Sequence, residues 1–551
     1  MKNLFSVILT SVFILVSIYA MSQTLILGNT LSKQIKSGEE HKYEVELKAA
    51  FNSQIEVMQK SVDVEVTLTN KANKVLQKID SPNGSNGPER VNFTADASGI
   101  YYIIVKTLEK NTQGNYNITF QYSMDSATTK KYQSYALNTD DYQKFCGTYI
   151  LPDSTEILFG VYSLKVESFS RVFFTYHNLK TNDTRALMAI SNRIFYCGKT
   201  LEPSFPIENE FEFMLSNTGE VIEVNIYKTD NKPIVAKRKQ THTYENFSVQ
   251  NGDVILKGHL LLPKTKGKHP VIIHVHGSQG ANRTMSTCDV FLTRLGFAVC
   301  SFDKRGAGES KGDWKTASLD DLSDDVIKVA DYMRSRNDID TSKLGLFGIS
   351  QGGWISAIAA SKTSKIKFIT VMSGSGVPVW ENVVHENEGN LRQLGISGAV
   401  LDSALVYAGN VLKMASHGND WHKINKYMKL YKKELYSRMI FPAALPKDNF
   451  WWDWFKINGM YDSYTYLQKV HCPVLWQMGE FDWNVPTKKS YTRINQALKL
   501  AHNNQVEIDM ISKANHSMLE TSTGFDRENT IRYAEGFWTN LERWLIINII
   551  K

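Results

Sequence analysis

Leu344-Gly345-Leu346-Phe347-Gly348-Ile349-Ser350-Gln351-Gly352-Gly353-Trp354-Ile355 decides how this chain is read. The apolar run 344–347 predicts a buried strand, and the apolar residues from Gly353 to Ala360 predict a helix. Between them Ser350 falls on a turn too short for anything but a sharp reversal. Such a turn lifts the hydroxyl clear of the sheet and suits a nucleophile. Gly348 and Gly352 remove side chains that would collide with the turn and the following helix, whose N-terminus adds a positive dipole end. The bland alternative is an ordinary turn serine.

Working outward, buried strands alternate with helices from about residue 246. Strands are expected at 271–275, 299–302, 344–347, 368–372, 473–478 and 506–511, and an amphipathic helix over 319–334 with Ser318 as its N-cap. That alternation implies a mostly parallel sheet covered on both faces, an α/β architecture. A nucleophilic serine needs a base, and the base an orienting carboxylate; with the serine on a strand–turn–helix elbow they are sought C-terminal to it, acid before histidine. Asp482 stands in a loop beyond the strand 473–478, with Glu480 as its competitor, and His516 stands in the loop beyond 506–511. His471 and His502 read as strand-edge or surface residues. The oxyanion of a tetrahedral intermediate needs two aimed N–H groups. One is expected from Gln351, the residue after the nucleophile. The other is expected from the loop His276-Gly277-Ser278-Gln279, with Ser278 first and Gln279 second. His276 itself reads as a structural brace of that loop.

The rest of the chain is organised differently. Met1-Lys2-Asn3 precedes an apolar run ending near Ala20, the layout of an export signal over 1–22, with cleavage after Ala20 or Ser22. A secreted or periplasmic location follows from it, with no stable membrane insertion after its removal. Residues 23–128 alternate apolar and polar, as in Val62-Asp63-Val64-Glu65-Val66-Thr67-Leu68, and predict a β-sandwich. Residues 135–240 predict a second, antiparallel β-rich domain. Both read as accessory modules. The catalytic part is expected at 246–551, with an inserted cap at about 378–466 where the core alternation lapses. The run Phe450-Trp451-Trp452-Asp453-Trp454-Phe455 in that insertion could line an acyl pocket or be the cap's own core.

Composition excludes several classes. With 63 Lys and Arg against 56 Asp and Glu, the net charge of +7 is a faint bias over 551 residues, and no dense basic run marks a nucleic-acid partner. Five cysteines make no disulfide framework, although Cys146 and Cys197 share a β-rich region and could pair. No Cys/His spacing suggests a metal, and no cofactor is expected.

The C-terminal motifs resemble the α/β-hydrolase superfamily. The resemblance covers roughly 246–551 and rests on His276-Gly277-Ser278, Gly348-Ile349-Ser350-Gln351-Gly352, Gly479-Glu480-Phe481-Asp482, Asn515-His516 and Phe302-Asp303-Lys304-Arg305-Gly306-Ala307-Gly308-Glu309-Ser310. Asp303 and Arg305 are structural in that pattern. Within the superfamily the chain is similar to secreted bacterial carboxylesterases and to the serine aminopeptidase branch. Members with the H-G-S loop usually continue Gly-Pro, whereas this chain has Gln279-Gly280, which leaves the second donor open between Ser278 and Gln279. The resemblance implies an α/β-hydrolase fold with a helical cap after two small all-β domains. It also implies a serine hydrolase acting on a small acyl ester. Peptidase or aminopeptidase activity is the alternative, with Glu381, Glu386 and Glu388 as the acidic cluster suited to an α-amine. A third reading is a non-catalytic surface or glycan-binding protein on a hydrolase fold.

Overall fold

The computed structural model describes residues 23–81, 85–108, 112–166, 169–198, 207–228, 232–524 and 532–551. The export segment expected at 1–22 lies outside the described residues. The chain divides into two compact units, 1–131 and 132–551.

In the first unit a five-stranded and a four-stranded sheet face one another. The alternation that predicts strands also selects their buried face. Val64, Val66 and Leu68 point inward, and they join Tyr43, Val45, Ile55, Val57, Ile103, Val105, Tyr116 and Ile118 in one apolar cluster. Gly99–Thr107 lies at the centre of the five-stranded sheet, flanked by Glu40–Leu47 and Val64–Asn70.

The second unit begins with eight sequential antiparallel strands, from Gly147–Ile150 to Ile234–Lys239, closed into a barrel by pairing of the last with the first. Eight strands leave an interior that side chains can fill. Here Phe159, Phe174, Phe195, Phe211, Phe213 and Tyr149 occupy it together with Phe145, with Phe145 and Phe213 centroids 4.6 Å apart. Cys146 and Cys197 are both buried and both free thiols.

The barrel is not a separate module. Its apolar residues continue into those of the α/β part as one cluster through Val290, Phe291, Phe537 and Trp538. Val161 N–H donates to the Met285 carbonyl at 2.7 Å, and Thr175 Oγ1 lies 2.8 Å from Thr287 Oγ1. Gly160 sits so close to the Ser286–Thr287 backbone that a Cβ would overlap it. Sequence periodicity sees strands but not which faces meet across hundreds of residues, so the reading of 135–240 as an antiparallel β-rich domain carries no sign of this continuity.

The remaining sheet has eight strands: β1 (His242–Asn251), β2 (Val254–Pro263), β3 (His269–Val275), β4 (Ala298–Phe302), β5 (Ile339–Ile349), β6 (Phe368–Met372), β7 (Val474–Gly479) and β8 (Val506–Ile511). Their order is 1-2-4-3-5-6-7-8, with β2 antiparallel to its neighbours and β3 to β8 parallel. β3, β4 and β7 are almost wholly buried, as their unbroken apolar runs require of strands covered on both faces. The helix Leu319–Arg334 starts in a capping box: Asp321 N–H donates to Ser318 Oγ, and Ser318 N–H to the Asp321 carboxylate.

Between β6 and β7 the chain leaves the sheet and forms the helices Val379–Gln393, Gly398–Ser416, Trp421–Leu430, Trp451–Asn458 and Ser463–Leu467. Trp451, Trp452 and Trp454 are buried, with Trp452 stacked edge-on to Trp421 and donating its indole N–H to the Pro446 carbonyl at 3.0 Å. These tryptophans belong to one apolar cluster with the sheet, and Trp451 lies edge-on to Trp314 of the loop after β4 at 6.1 Å. No described helix is long and apolar enough to cross a membrane.

Candidate active site

The turn after β5 places Ser350. Its φ of +53° and ψ of −116° are forbidding for a side chain-bearing residue, and the neighbourhood holds it there. Ser350 N–H donates to the Met372 carbonyl at 2.9 Å, and Gly353 N–H returns to the Ser350 carbonyl at 2.8 Å. Both flanking glycines are required by contact. A Cβ on Gly348 would lie 2.5 Å from the Gly352 carbonyl oxygen, and one on Gly352 would collide with the Val275 carbonyl of β3.

The loops beyond β7 and β8 bring two side chains to this serine. His516 Nε2 is 3.1 Å from Ser350 Oγ, and His516 Nδ1 is 2.8 Å from Asp482 Oδ2. Asp482 is fully buried and its other oxygen accepts N–H groups from Asn484 at 2.8 Å and Val485 at 3.0 Å. That fixes which oxygen faces the imidazole. The His516 carbonyl accepts Ser373 Oγ–H at 2.7 Å, which anchors the histidine loop to the end of β6. Glu480, the competing carboxylate, points elsewhere: it is exposed and accepts Ser512 Oγ–H and Lys513 N–H. His471 bonds the Ala501 carbonyl, and His502 is exposed.

On the other side of Ser350 runs the loop after β3. A Cβ on Gly277 would be 3.6 Å from the Ser350 Cβ, so the backbone here borders that serine. Gln351 opens the helix Gln351–Lys362, and its N–H therefore has no intrahelical partner. His276 Nε2–H donates to the Phe302 carbonyl at 2.8 Å, and burial lowers its pKa to about 3, so it is a neutral brace between β3 and β4. Asp303 accepts N–H groups from Arg283 and Glu309 and pairs with the Arg283 guanidinium. Arg305 forks onto Asp325 at 2.7 and 2.8 Å. Both serve structure.

Two further charged groups lie near the site, Lys304, which the sequence reading gave no role, and Glu386 of the acidic cluster suited to an α-amine. Lys304, inside the Asp303–Arg305 motif, turns its ammonium inward to the Gly277 carbonyl and to Gln351 Oε1. Its signal was a lysine where the pattern tolerates any residue. Glu386, of the acidic cluster in the cap, lies within electrostatic reach of His516 and Asp482, and burial raises its pKa to about 7. The other two acids are engaged elsewhere, Glu381 with Lys489 and Glu388 with Arg392.

The strand order, the turn at Ser350 and the sequence comparison agree. Residues 251–517 match the family model described as X-Pro dipeptidyl-peptidase (S15 family). Over that span, just under half of the chain, the protein is similar to the α/β-hydrolase superfamily. Among its relatives, the chain is 34% identical over 109 residues to an uncharacterized 31.7 kDa protein of Escherichia coli, covering 20% of this chain and 38% of that one. It is 24% identical over 233 residues to dipeptidyl aminopeptidase B of Saccharomyces cerevisiae, covering 37% and 28%. The match thus spans under two-fifths of either relative's length. Among solved structures, the Pyrococcus furiosus esterase Pf2001 aligns at 14% identity and a TM-score of 0.35, over 56% of this chain and 93% of that one.

Proposed function

We propose that the protein is a serine hydrolase that cleaves carboxylic esters through Ser350, His516 and Asp482. One observation carries the reading: a continuous hydrogen-bonded line from Ser350 Oγ through both imidazole nitrogens of His516 to a buried carboxylate. Asp482 accepts the Nδ1 proton, which leaves the Nε2 lone pair facing the hydroxyl. Ser350 Oγ attacks the acyl carbon while Nε2 takes its proton. The Gln351 and Ser278 N–H groups receive the oxyanion, and the imidazolium returns the proton to the departing alcohol. Water then repeats the cycle on the acyl-enzyme and releases the acid. No cofactor or metal enters this scheme.

A fluorophosphonate probe and an aryl ester test it. Wild type should label and turn over, and Ser350→Ala should abolish labelling and lower kcat by about 10⁴–10⁶. Well-folded wild type that neither labels nor hydrolyses would favour the non-catalytic reading.

A second reading, peptide hydrolysis from a free N-terminus, is supported by Glu386. Its carboxyl, on the first cap helix within electrostatic reach of His516, would accept a substrate ammonium. The S15 match is consistent with it. Steady-state rates on neutral aryl esters, aminoacyl esters and aminoacyl anilides separate the two; dominant anilide turnover would overturn the ester preference. Export through residues 1–22 belongs to the proposal as well, and N-terminal sequencing of exported protein should begin at Met21 or Gln23.

A further inference from the structure

Lys304 follows β4 at the carboxyl edge of the sheet, and only 5% of it is exposed. Its ammonium makes two hydrogen bonds, one to the Gly277 carbonyl and one of 2.9 Å to Gln351 Oε1. Neither acceptor is a carboxylate, and no ion pair forms at Lys304 among the described residues. Burying a charge without a counter-charge is costly, and here burial alone drags the ammonium's pKa down to about 7. A methionine of similar volume would avoid that cost, so the charge calls for an explanation in the site.

Its two acceptors supply one. The Gly277 carbonyl belongs to the same peptide group as the Ser278 N–H, and in a trans peptide the two point in opposite directions. An ammonium gripping the oxygen from one side turns the N–H to the other. It also draws electron density through the amide and makes that N–H a stronger donor. The second bond holds the side chain of Gln351, the residue whose own N–H is the other donor. Gly277 meanwhile borders Ser350 closely.

We propose that Lys304 is a positioning residue of the oxyanion hole, its ammonium orienting and polarising the Gly277–Ser278 peptide and pinning Gln351. The inference rests on the hydrolase reading above.

Full-length wild type, Lys304→Met and Lys304→Gln are compared on p-nitrophenyl acetate, with fluorophosphonate labelling and thermal unfolding alongside. Losing a donor outright costs about 10²–10³ in rate; loosening two without removing them should cost about ten- to a hundredfold in kcat. KM should stay within about twofold, since the ground-state carbonyl gains little from the hole. The affinity of phenylboronic acid, whose tetrahedral adduct places an oxygen in the hole, should fall with kcat. The melting temperature of Lys304→Met should hold or rise. A merely structural lysine predicts the opposite pairing, lower stability with kcat and boronate affinity unmoved, and that result overturns the inference. So does an unchanged kcat in the glutamine variant, should the methionine variant fail to fold. Wild type that neither labels nor turns over loses the hydrolase reading itself, a different outcome from active, labelled variants with full kcat.

Discussion

Replacing Asp482 by asparagine should disable the site without disturbing its shape, and the reason lies in the two backbone donors behind it. Asp482 Oδ1 accepts N–H groups from Asn484 and Val485, while Oδ2 faces His516 Nδ1. Asparagine has one acceptor oxygen and one donor nitrogen. Turning the NH₂ toward the loop would set it against two N–H groups and forfeit two buried hydrogen bonds, at about 1–3 kcal/mol each. The oxygen therefore stays with Asn484 and Val485, and the NH₂ faces His516. Nδ1 must then accept, so the ring's proton moves to Nε2, the atom required to receive the Ser350 proton. The wrong tautomer costs about 10⁴ in kcat, equivalent to about 5 kcal/mol of barrier. Steady-state hydrolysis of an aryl ester at neutral pH reads it, with circular dichroism to establish folding. Glu480→Gln serves as the comparison, since the Glu480 carboxylate accepts from Ser512 and Lys513 and its change should leave kcat within about twofold. A folded Asp482→Asn enzyme retaining more than a tenth of wild-type kcat would refute the assigned geometry.

Other outcomes follow from the same coordinates. Gly352→Ala drives a methyl into the Val275 carbonyl and should cost about 1–3 kcal/mol, seen as a lower denaturant midpoint. Glu386→Gln should raise KM for aminoacyl substrates about tenfold, on the scale of a charge-assisted hydrogen bond, and leave neutral aryl esters untouched. In wild type the Glu386 carboxyl, with its pKa raised to about 7 beside His516 and Asp482, is protonated below that pH and charged above it. KM for aminoacyl substrates should therefore fall as pH rises through 7, until the substrate amine itself deprotonates near 8. A fragment of residues 246–551 strips the barrel from Phe291 and Trp538; it should melt lower and bind more hydrophobic dye than residues 132–551.

Local pattern and long-range contact divide what could be read from residues alone. The period-two run at 64–68 and the capping box at Ser318 are complete within a few residues, and the structure builds them as the pattern implies. The turn at Ser350 is similarly local, since its two glycines face backbone within the same strand–turn–helix or the adjoining strand. The choice between Glu480 and Asp482 was harder. Both lie in one loop, and only the direction of that loop turns one toward His516 and the other toward Ser512. The cap tryptophans were ambiguous because burial in a core and exposure to a pocket need the same residue type. Two features were illegible. Shared packing of barrel and α/β sheet depends on faces brought together across the chain. The orientation of Lys304 depends on the carbonyl of a loop 27 residues earlier.

The backbone at Ser350 has a further consequence. Its φ of +53° suits glycine far better than serine, and holding a residue in such a region costs on the order of 1–3 kcal/mol. A lineage freed from selection for turnover would gain robustness by drifting to glycine at this one codon. A Ser350→Gly protein should therefore be more stable than wild type while lacking the hydroxyl, by no more than about 1–3 kcal/mol.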